Sequence, residues 1–398
     1  MIQTLRSRRS DQAAPSLLTP QFVAVALAAL AYFTGDGILI AAVPRFVAGP
    51  LGAGNVAVGV AVGAFSVSAF FLRPWVGGVG DRRGRKPLLL IGSAVFALSV
   101  LGYTTVSDPT TLAALRLLTG AGEACFFVGM VTTFTDLAPP ERRGEAMSLA
   151  SLSLYVGIGV GPMLGEFAID RFGFTTAWLL AAAAGLISLG LVLRVGETRP
   201  STMAAPARQR LVHPAGLLPG LALLASILGM AGFLTFVPLY ALDLGMSGSR
   251  LVLLTFAGVV VLIRSAGARL PDRLGAARAT RLALLLSALG LATAGGWHAP
   301  AGLLLGAVIL GAGVGLLTPS VFALAVERAT ESERGAVIGT TSAFLDLALG
   351  IGPVSLGFVA ASFGRSGTFL ASAMVAVAGL VLVVVTRLGR APRDAGSP

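Results

Sequence analysis

Charged residues, cysteine and histidine are all scarce in this sequence, and each shortage narrows the class of protein. Only 12% of the 398 residues carry a charge, whereas about a quarter do in a soluble domain. The single cysteine, Cys125, excludes an internal disulfide and a cysteine-cluster metal site. The two histidines, His213 and His298, are too few to build a metal centre of their own. We therefore expect no metal and no other cofactor.

Apolar residues dominate the chain, and they fall into long runs. They make up 55% of the sequence, and a helix that crosses a bilayer needs about 20 of them in succession. Twelve runs are long enough, which predicts an all-α polytopic membrane protein with twelve transmembrane helices. The runs are 21–43, 56–79, 88–106, 112–134, 146–169, 175–193, 217–240, 251–270, 280–297, 302–325, 337–361 and 368–386.

The distribution of lysine and arginine predicts how these helices are oriented. If the N-terminus lies inside, the inner loops and the two ends carry 22 basic residues and the outer loops carry four. We therefore expect a cytoplasmic (inner) membrane protein with both termini cytoplasmic. The net charge of +11 arises from these loops, which argues against nucleic acid as a partner. The basic N-terminus resembles a secretory signal, but the run that follows is long and lacks a cleavage site, so we expect it to be retained as the first helix.

Two halves of the sequence repeat each other at an offset of 191 residues. The matched residues are Arg73 and Arg264, Asp81 and Asp272, Gly84 and Gly275, Gly120 and Gly311, Gly122 and Gly313, Asp136 and Glu327, and Gly161-Pro162 and Gly352-Pro353. Such a duplication is typical of secondary transporters and predicts two pseudo-symmetric six-helix bundles. The expected domains are a cytoplasmic N-terminal segment 1–20, a first bundle 21–194, a cytoplasmic linker 195–216, a second bundle 217–386 and a cytoplasmic tail 387–398.

A charged and glycine-containing motif occupies the loop after the second predicted helix. Its residues are Gly77, Asp81, Arg82, Gly84, Arg85 and Lys86. The motif resembles, position for position, the most specific signature of the major facilitator superfamily, and the whole chain is most similar to its twelve-helix drug:proton antiporters. The resemblance implies that Asp81 faces helix 11 of the opposite bundle, and that Arg85 pairs with Asp136. These contacts would form a cytoplasmic latch that holds the outward-facing state and breaks on inward opening. Alternatively, the basic residues only anchor the loop on the cytoplasmic side.

Among the charged residues inside predicted spans, four are candidates for the central cavity: Asp36 in helix 1, Arg116 and Glu123 in helix 4, and Asp346 in helix 11. A charge inside a bilayer is costly unless it is paired or hydrated, so each is a functional candidate. Arg116 and Gly120 resemble the superfamily's helix-4 signature, which is linked there to proton coupling. We expect Asp36 to pair with Arg116 across helices 1 and 4, and Glu123 to exchange a proton near neutral pH. The alternatives are a solvated Asp36, a purely structural Arg116–Glu123 pair, and a packing role for Asp346 instead of a second proton or substrate carboxylate.

Helix 5 contains a stripe of small residues around a proline. Its residues are Gly157, Gly161, Pro162 and Gly165. The stripe suits close packing against a neighbouring helix, and it resembles the superfamily's antiporter signature, which is associated with exporters. The signature ends in Gly-Gly, whereas this chain has Gly165-Glu166. We expect Glu166 either to face the outer water or to take up protons there.

Helix 7 offers a possible cavity wall of aromatic and thioether side chains, although contact with lipid is the more common explanation. Its members are Met230, Phe233, Phe236 and Tyr240. Arg73 and Arg264 each lie eight residues before the aspartate of their loop. At that depth we expect both side chains to reach the cytoplasmic interface and to serve a structural role.

These features predict a secondary active transporter and not an enzyme. The favoured function is a proton-coupled antiporter that exports small lipophilic or amphipathic molecules by alternating access, as in drug resistance. A facilitator or symporter for a metabolite or nutrient is the alternative, and a polytopic membrane enzyme is a remote one because its convergent polar groups are lacking. The expected partners are a small-molecule substrate, protons and the lipid bilayer, and we expect a monomer.

Overall fold

The computed structural model describes residues 17–139, 142–199, 213–266, 273–327, 329–330 and 333–386. The predicted tail, much of the predicted N-terminal segment and linker, and Asp272 lie outside the described residues.

Eleven helices of 17 residues or more make up most of the described part of the chain. They are α1 (Pro20–Ala48), α2 (Asn55–Arg83), α3 (Lys86–Gly102), α4 (Pro109–Leu137), α5 (Arg143–Phe172), α6 (Phe174–Leu193), α7 (Pro214–Asp243), α8 (Arg250–Ala266), α9 (Ala276–Gly296), α10 (Pro300–Val326) and α11 (Arg334–Val385). The last helix has 52 residues and contains two of the predicted spans. The prediction of an all-α protein with twelve spans is therefore confirmed.

Local sequence signals account for where several helices begin. The side chain of Thr19 accepts a hydrogen bond from the backbone of Phe22 at the start of α1, and Pro20 occupies the first turn. Asp108 accepts hydrogen bonds from the backbones of Thr110 and Thr111 at the start of α4, again next to a proline. A capping oxygen followed by proline satisfies the free N–H groups of a first turn and fixes φ there.

Two connections between spans consist of a single glycine. Gly173 has φ 88° and joins α5 to α6, and Gly364 has φ 73° and separates the two spans of α11. Glycine adopts this left-handed backbone region without the steric penalty of a side chain. The two glycines are themselves 191 residues apart, so the duplication extends to the way the last two spans of each half are joined.

The helices form two bundles that contact each other mainly along two seams. In the first bundle α1 packs against α5 and α6, α2 against α4, and α3 against α4 and α6. In the second bundle α7 packs against α11, α8 against α10, and α9 against α10 and α11. One seam joins α2 to α11 and the other joins α5 to α8.

The glycine stripe of α5 packs against α1. A Cβ added at Gly157 would lie 2.6 Å from the carbonyl carbon of Phe33, and one at Gly161 would lie 2.5 Å from the carbonyl oxygen of Thr34. Gly165 continues this contact along α1, and Pro162 is buried within α5. Close packing of two backbones is therefore the physical role of the stripe.

The bundles contact each other at the end of the molecule opposite the α2–α3 loop. At this end Asn55 Nδ2 donates to the carbonyl oxygen of Ala360 at 3.2 Å, and Gly59 packs against the backbone of Pro353. At the end that carries the α2–α3 loop, a Cβ added at Gly77 or Gly78 would meet no described residue within 4 Å. No described residue of the second bundle therefore packs on α2 at these two glycines.

Candidate functional site

A cavity of about 310 Å³ lies between the two bundles. Its wall is mostly apolar and aromatic, with side chains from α1, α2, α4, α5, α7, α8, α10 and α11. The charged residues that line it are Asp36, Arg73, Arg116, Glu123 and Arg264. A largely apolar cavity of this size with a few polar groups is typical of small-molecule sites.

Arg73 links the two bundles through two carboxylates. Its Nη2 lies 2.8 Å and 3.1 Å from the two carboxylate oxygens of Glu123 in α4. Its Nη1 pairs with Asp346 in α11 of the second bundle. The guanidinium also lies 4.6 Å from the centre of the Phe127 ring. The expectation that Arg73 reaches the interface is therefore wrong, because two acids at its own depth hold the side chain beside the cavity.

Arg116 occupies a different part of the cavity wall. Its Nε donates to the carbonyl oxygen of Ala61 at 3.1 Å, and its guanidinium lies 4.6 Å from the centre of the Phe65 ring. The residue is only 5% exposed, and its Nη1 has no hydrogen-bond partner among the described residues. The alternative of a structural Arg116–Glu123 pair is wrong, because Arg73 binds the carboxylate of Glu123.

Asp36 faces the same cavity from α1. Within the described part of the chain, it forms no ion pair with Arg116 and no side-chain hydrogen bond. The predicted Asp36–Arg116 contact is therefore not made in this arrangement, although both side chains line one cavity. A carboxylate and a guanidinium that share a cavity without touching leave room for a third group between them.

Arg264 lies on the α5–α8 seam and does not reach the interface as expected. Its Nη2 donates to the hydroxyl of Tyr155 at 3.3 Å, and its guanidinium lies 4.7 Å from the centre of the Tyr155 ring. Its Nε is buried without a hydrogen-bond partner among the described residues. No carboxylate from those residues pairs with it.

The residues of the predicted cytoplasmic latch are held mainly within the first bundle. Arg85 Nη1 lies 2.7 Å from Asp81, and Arg85 Nε lies 3.2 Å from Asp136, so the structure brings these three residues together. No ion pair joins Asp81 to a described residue of the second bundle. The contact of Arg85 with Asp136 lies within one bundle, and the expectation that it breaks on inward opening stays a prediction.

Glu197 completes the α2–α3 loop, and sequence reasoning missed it. Its carboxylate accepts hydrogen bonds from the backbones of Arg85 at 2.8 Å and Lys86 at 3.2 Å, at the start of α3. Gly84 has φ 103°, and a side chain there would collide with this carboxylate. Burial alone would raise the pKa of Glu197, but the backbone N–H donors outweigh it and lower that pKa below its usual value. The start of the linker is thus fastened to the motif loop.

The aromatic wall predicted on α7 is wrong for three of its four residues. Met230 lines the cavity, whereas Phe233, Phe236 and Tyr240 are buried in the core of the second bundle. Phe233 packs against Phe256 and Phe369, and Tyr240 packs against Phe369. A helix that is apolar on every side does not reveal from its sequence which face meets a cavity.

Glu166 is fully buried and does not face the outer water as one expectation held. Its Oε1 accepts from the backbone of Ser249 at 2.7 Å and from the hydroxyl of Ser249 at 2.6 Å. Its Oε2 accepts from the backbone of Arg250 at 2.9 Å. Glu166 therefore caps the first turn of α8 from across the α5–α8 seam, where a carboxylate is stabilised by free N–H groups.

Comparison with known proteins places the chain in a family. The model of the Major Facilitator Superfamily matches residues 25–294 and 266–398. An uncharacterized MFS-type transporter of Salmonella typhimurium is 28% identical over 360 residues, which cover 87% of this chain and 91% of that protein.

Solved structures share the fold. A POT family transporter in complex with 5-aminolevulinic acid has a TM-score of 0.79 at 13% identity, covering 93% of this chain and 96% of that one. A bacterial homolog of the human lysosomal transporter Spinster, in an inward-facing and occupied conformation, has a TM-score of 0.75 at 13% identity, covering 94% and 98%. With the duplicated bundles and the cavity between them, these matches show that the chain is a membrane transporter that belongs to the Major Facilitator Superfamily.

Proposed function

We propose that this protein is a proton-coupled antiporter that exports small amphipathic molecules across the cytoplasmic membrane, with both termini cytoplasmic. The observation that carries the proposal is the bridge from Glu123 through Arg73 to Asp346. It puts two carboxylates on one arginine, beside the cavity and across the seam between the bundles. Such a bridge couples the protonation of its acids to the relative position of the bundles.

The arrangement of the bundles supports an inward-facing state. The basic loops predict that the α2–α3 loop is cytoplasmic, and at that end no described residue of the second bundle packs on α2 at Gly77 or Gly78. The opposite end is closed by Asn55 with Ala360 and by Glu166 with the first turn of α8. In this state the cavity receives substrate from the cytoplasm.

The exchange of substrate for protons follows from the charges in the cavity. A proton on Glu123 or Asp346 removes the attraction of that acid for Arg73, which loosens the bridge between the bundles. Asp36, which has no partner among the described residues, is the further acid available to a proton or to a substrate group. One proton that falls through the membrane potential supplies about 2.3 kcal/mol per 100 mV, which drives substrate outward.

The test is transport into inside-out membrane vesicles with an imposed acid interior. Three naphthalene probes that differ only in the polar group report on substrate charge: 1-naphthalenesulfonate, its neutral sulfonamide, and a trimethylammonium derivative. At least one probe should accumulate in response to the pH gradient. Glu123→Gln should reduce the gradient-driven part at least about tenfold, since a lost charge-assisted contact is worth about 1.5–3 kcal/mol. Asp36→Asn should also reduce it, because an amide cannot take up and release the proton.

Glu145→Gln is the matched control, because Glu145 is half exposed and pairs locally with Arg142, away from the cavity. It should transport like the unmodified protein. If the probes move at the same rate with and without a pH gradient, or if both cavity variants remain fully gradient-driven, proton coupling is wrong. Downhill transport alone would favour a facilitator on the same fold.

A further inference from the structure

Arg73 and Arg264 occupy equivalent places in the two halves, since they are 191 residues apart. The helices that surround them cross in the same way. Gly120 of α4 packs on the backbone carbonyl of Phe65 in α2, and Gly311 of α10 packs on that of Phe256 in α8. These two contacts are related by the same offset. The surroundings of one arginine can therefore be compared position by position with those of the other.

Neither of the two acids that bind Arg73 has an acidic equivalent near Arg264. The position equivalent to Glu123 is Val314, and the position equivalent to Asp346 is Tyr155. Val314 is fully buried, and the hydroxyl of Tyr155 accepts the only side-chain hydrogen bond that Arg264 donates within the described residues. Arg73 is neutralised by two acids of its own protein, whereas no acid among the described residues pairs with Arg264.

An arginine without a counter-ion at this depth is costly, and Arg264 lines the central cavity. Its Nε is buried and unpartnered among the described residues. A second, smaller cavity lined by α5, α8 and α10 also contains Arg264 and Tyr155. The guanidinium is thus reachable from the cavity, and an incoming acceptor would meet both Arg264 and the Tyr155 hydroxyl.

We propose that Arg264 and Tyr155 form the subsite for the anionic group of the substrate, so that the exported molecule is an amphipathic organic anion. This inference rests on the transport function proposed above and names its substrate class. A carboxylate, sulfonate or phosphate takes the place that Glu123 and Asp346 occupy at Arg73, because guanidinium groups bind such oxyanions through paired hydrogen bonds. The apolar body of the molecule lies against the cavity wall, where Met230, Leu234 and Phe256 are found.

Binding of the three naphthalene probes to the purified full-length protein in detergent tests the inference, with the shift in unfolding temperature as the readout. The sulfonate should bind most tightly, because the sulfonamide has the same shape without the charge. Arg264→Gln should weaken sulfonate binding about 10- to 100-fold and leave sulfonamide binding unchanged. Tyr155→Phe should give a smaller loss, because the guanidinium remains.

Two further variants separate recognition from folding. Arg281→Gln removes one positive charge from the second bundle at a residue whose Nε bonds only its own helix at Ala277, and it should bind the sulfonate normally. Val314→Glu gives Arg264 the carboxylate that Arg73 already has, and it should abolish sulfonate binding with the arginine still present. If Val314→Glu does not fold, Arg264→Gln against Arg281→Gln decides the question.

Several results would overturn the inference. One is tighter binding of the trimethylammonium or sulfonamide probe than of the sulfonate, and another is equal sulfonate binding by Arg264→Gln and the unmodified protein. Short-chain phosphatidylglycerol is used to distinguish an anionic lipid from a soluble anion. If this lipid binds more tightly than the sulfonate, and its binding depends on Arg264, the proposal of a soluble substrate is overturned. The proposed proton coupling can fail separately from this inference. If sulfonate binding depends on Arg264 but transport does not respond to a pH gradient, only the antiport is refuted.

Discussion

The two halves of this transporter share a backbone plan but use their equivalent arginines differently. Arg73 is held by Glu123 and Asp346, whereas Arg264 contacts only the ring and hydroxyl of Tyr155 among the described side chains. The first site is an internal salt bridge that spans the bundles, and the second is an arginine beside the cavity with no acid partner among the described residues. In the function proposed above, the two copies of a duplicated fold divide its tasks, with one arginine for coupling and the other for recognition.

The largest expected difference follows from removing each arginine in turn. Arg73→Gln should destabilise the protein by about 3–5 kcal/mol, because it leaves two poorly exposed carboxylates without a counter-ion. Arg264→Gln should change stability by less than about 1 kcal/mol, since it strands no acid. Thermal unfolding in detergent measures both. The stability lost in Arg73→Gln should be smaller in acid, where the unpaired carboxylates take up protons. Equal losses of stability in the two variants would show that the two arginines do not differ as described.

A second difference concerns the last turns of α5 and of the first span of α11, where Glu166 and Gly357 are equivalent positions. Glu166 caps α8, while Gly357 packs directly against the backbone of Asn55. Glu166→Gln should lose about 1.5–3 kcal/mol of charge-assisted bonding and favour opening at this end. Labelling of Leu39→Cys in a Cys125→Ser background, with an impermeant reagent added from outside, should become faster. Unchanged labelling would show that this cap does not hold the end closed.

Glycine contacts provide a smaller test of how similar the halves are. A Cβ at Gly311 would lie 2.8 Å from the carbonyl oxygen of Phe256, and one at Gly120 would lie closer still to Phe65. Both alanine variants should be destabilised by about 1–3 kcal/mol through overpacking, with Gly120→Ala the more affected. Their unfolding temperatures decide the order, and the reverse order would mean that the first half adjusts its helix spacing more easily.

The smallest expected effect belongs to Glu197, whose equivalent position in the second half is Leu388. The folded-state pKa of Glu197 is lowered, so its contribution is present above its unfolded pKa and is lost as the pH falls through the folded pKa. Glu197→Gln should cost less than about 1 kcal/mol at neutral pH, since the carboxylate is exposed. The difference in unfolding temperature between the two proteins should vanish in strong acid. A difference that persists there would mean that charge is not involved.

The sequence was sufficient to predict the spans, the duplication and three charged residues that line the cavity, namely Asp36, Arg116 and Glu123. It was not sufficient to predict their partners. The position of Arg73 along α2 was known, but its acids lie 50 and 273 residues away in the chain. Helix rotation and crossing decide such contacts, and neither can be obtained from the pattern of one helix.

The errors at α7 and at the second arginine have related causes. α7 is apolar around its whole circumference, so nothing in its sequence separates Met230 at the cavity from Phe233 in the core. The environment of Arg264 was within reach of the sequence, because the 191-residue offset pairs Tyr155 with Asp346 and Val314 with Glu123. The structure was needed to show that Glu123 and Asp346 bind Arg73 and that Tyr155 contacts Arg264.

The single-residue turns at Gly173 and Gly364 have a mechanical consequence. Because a single glycine joins them, the last two spans of each half are expected to tilt together. Any tilt of α5 along its seam with α8 therefore also moves α6, which packs against α1 and α3 in the first bundle. When the contact between α5 and α8 changes during transport, the surface of α6 that faces lipid must move as well. The transport rate should therefore respond to bilayer thickness and lateral pressure.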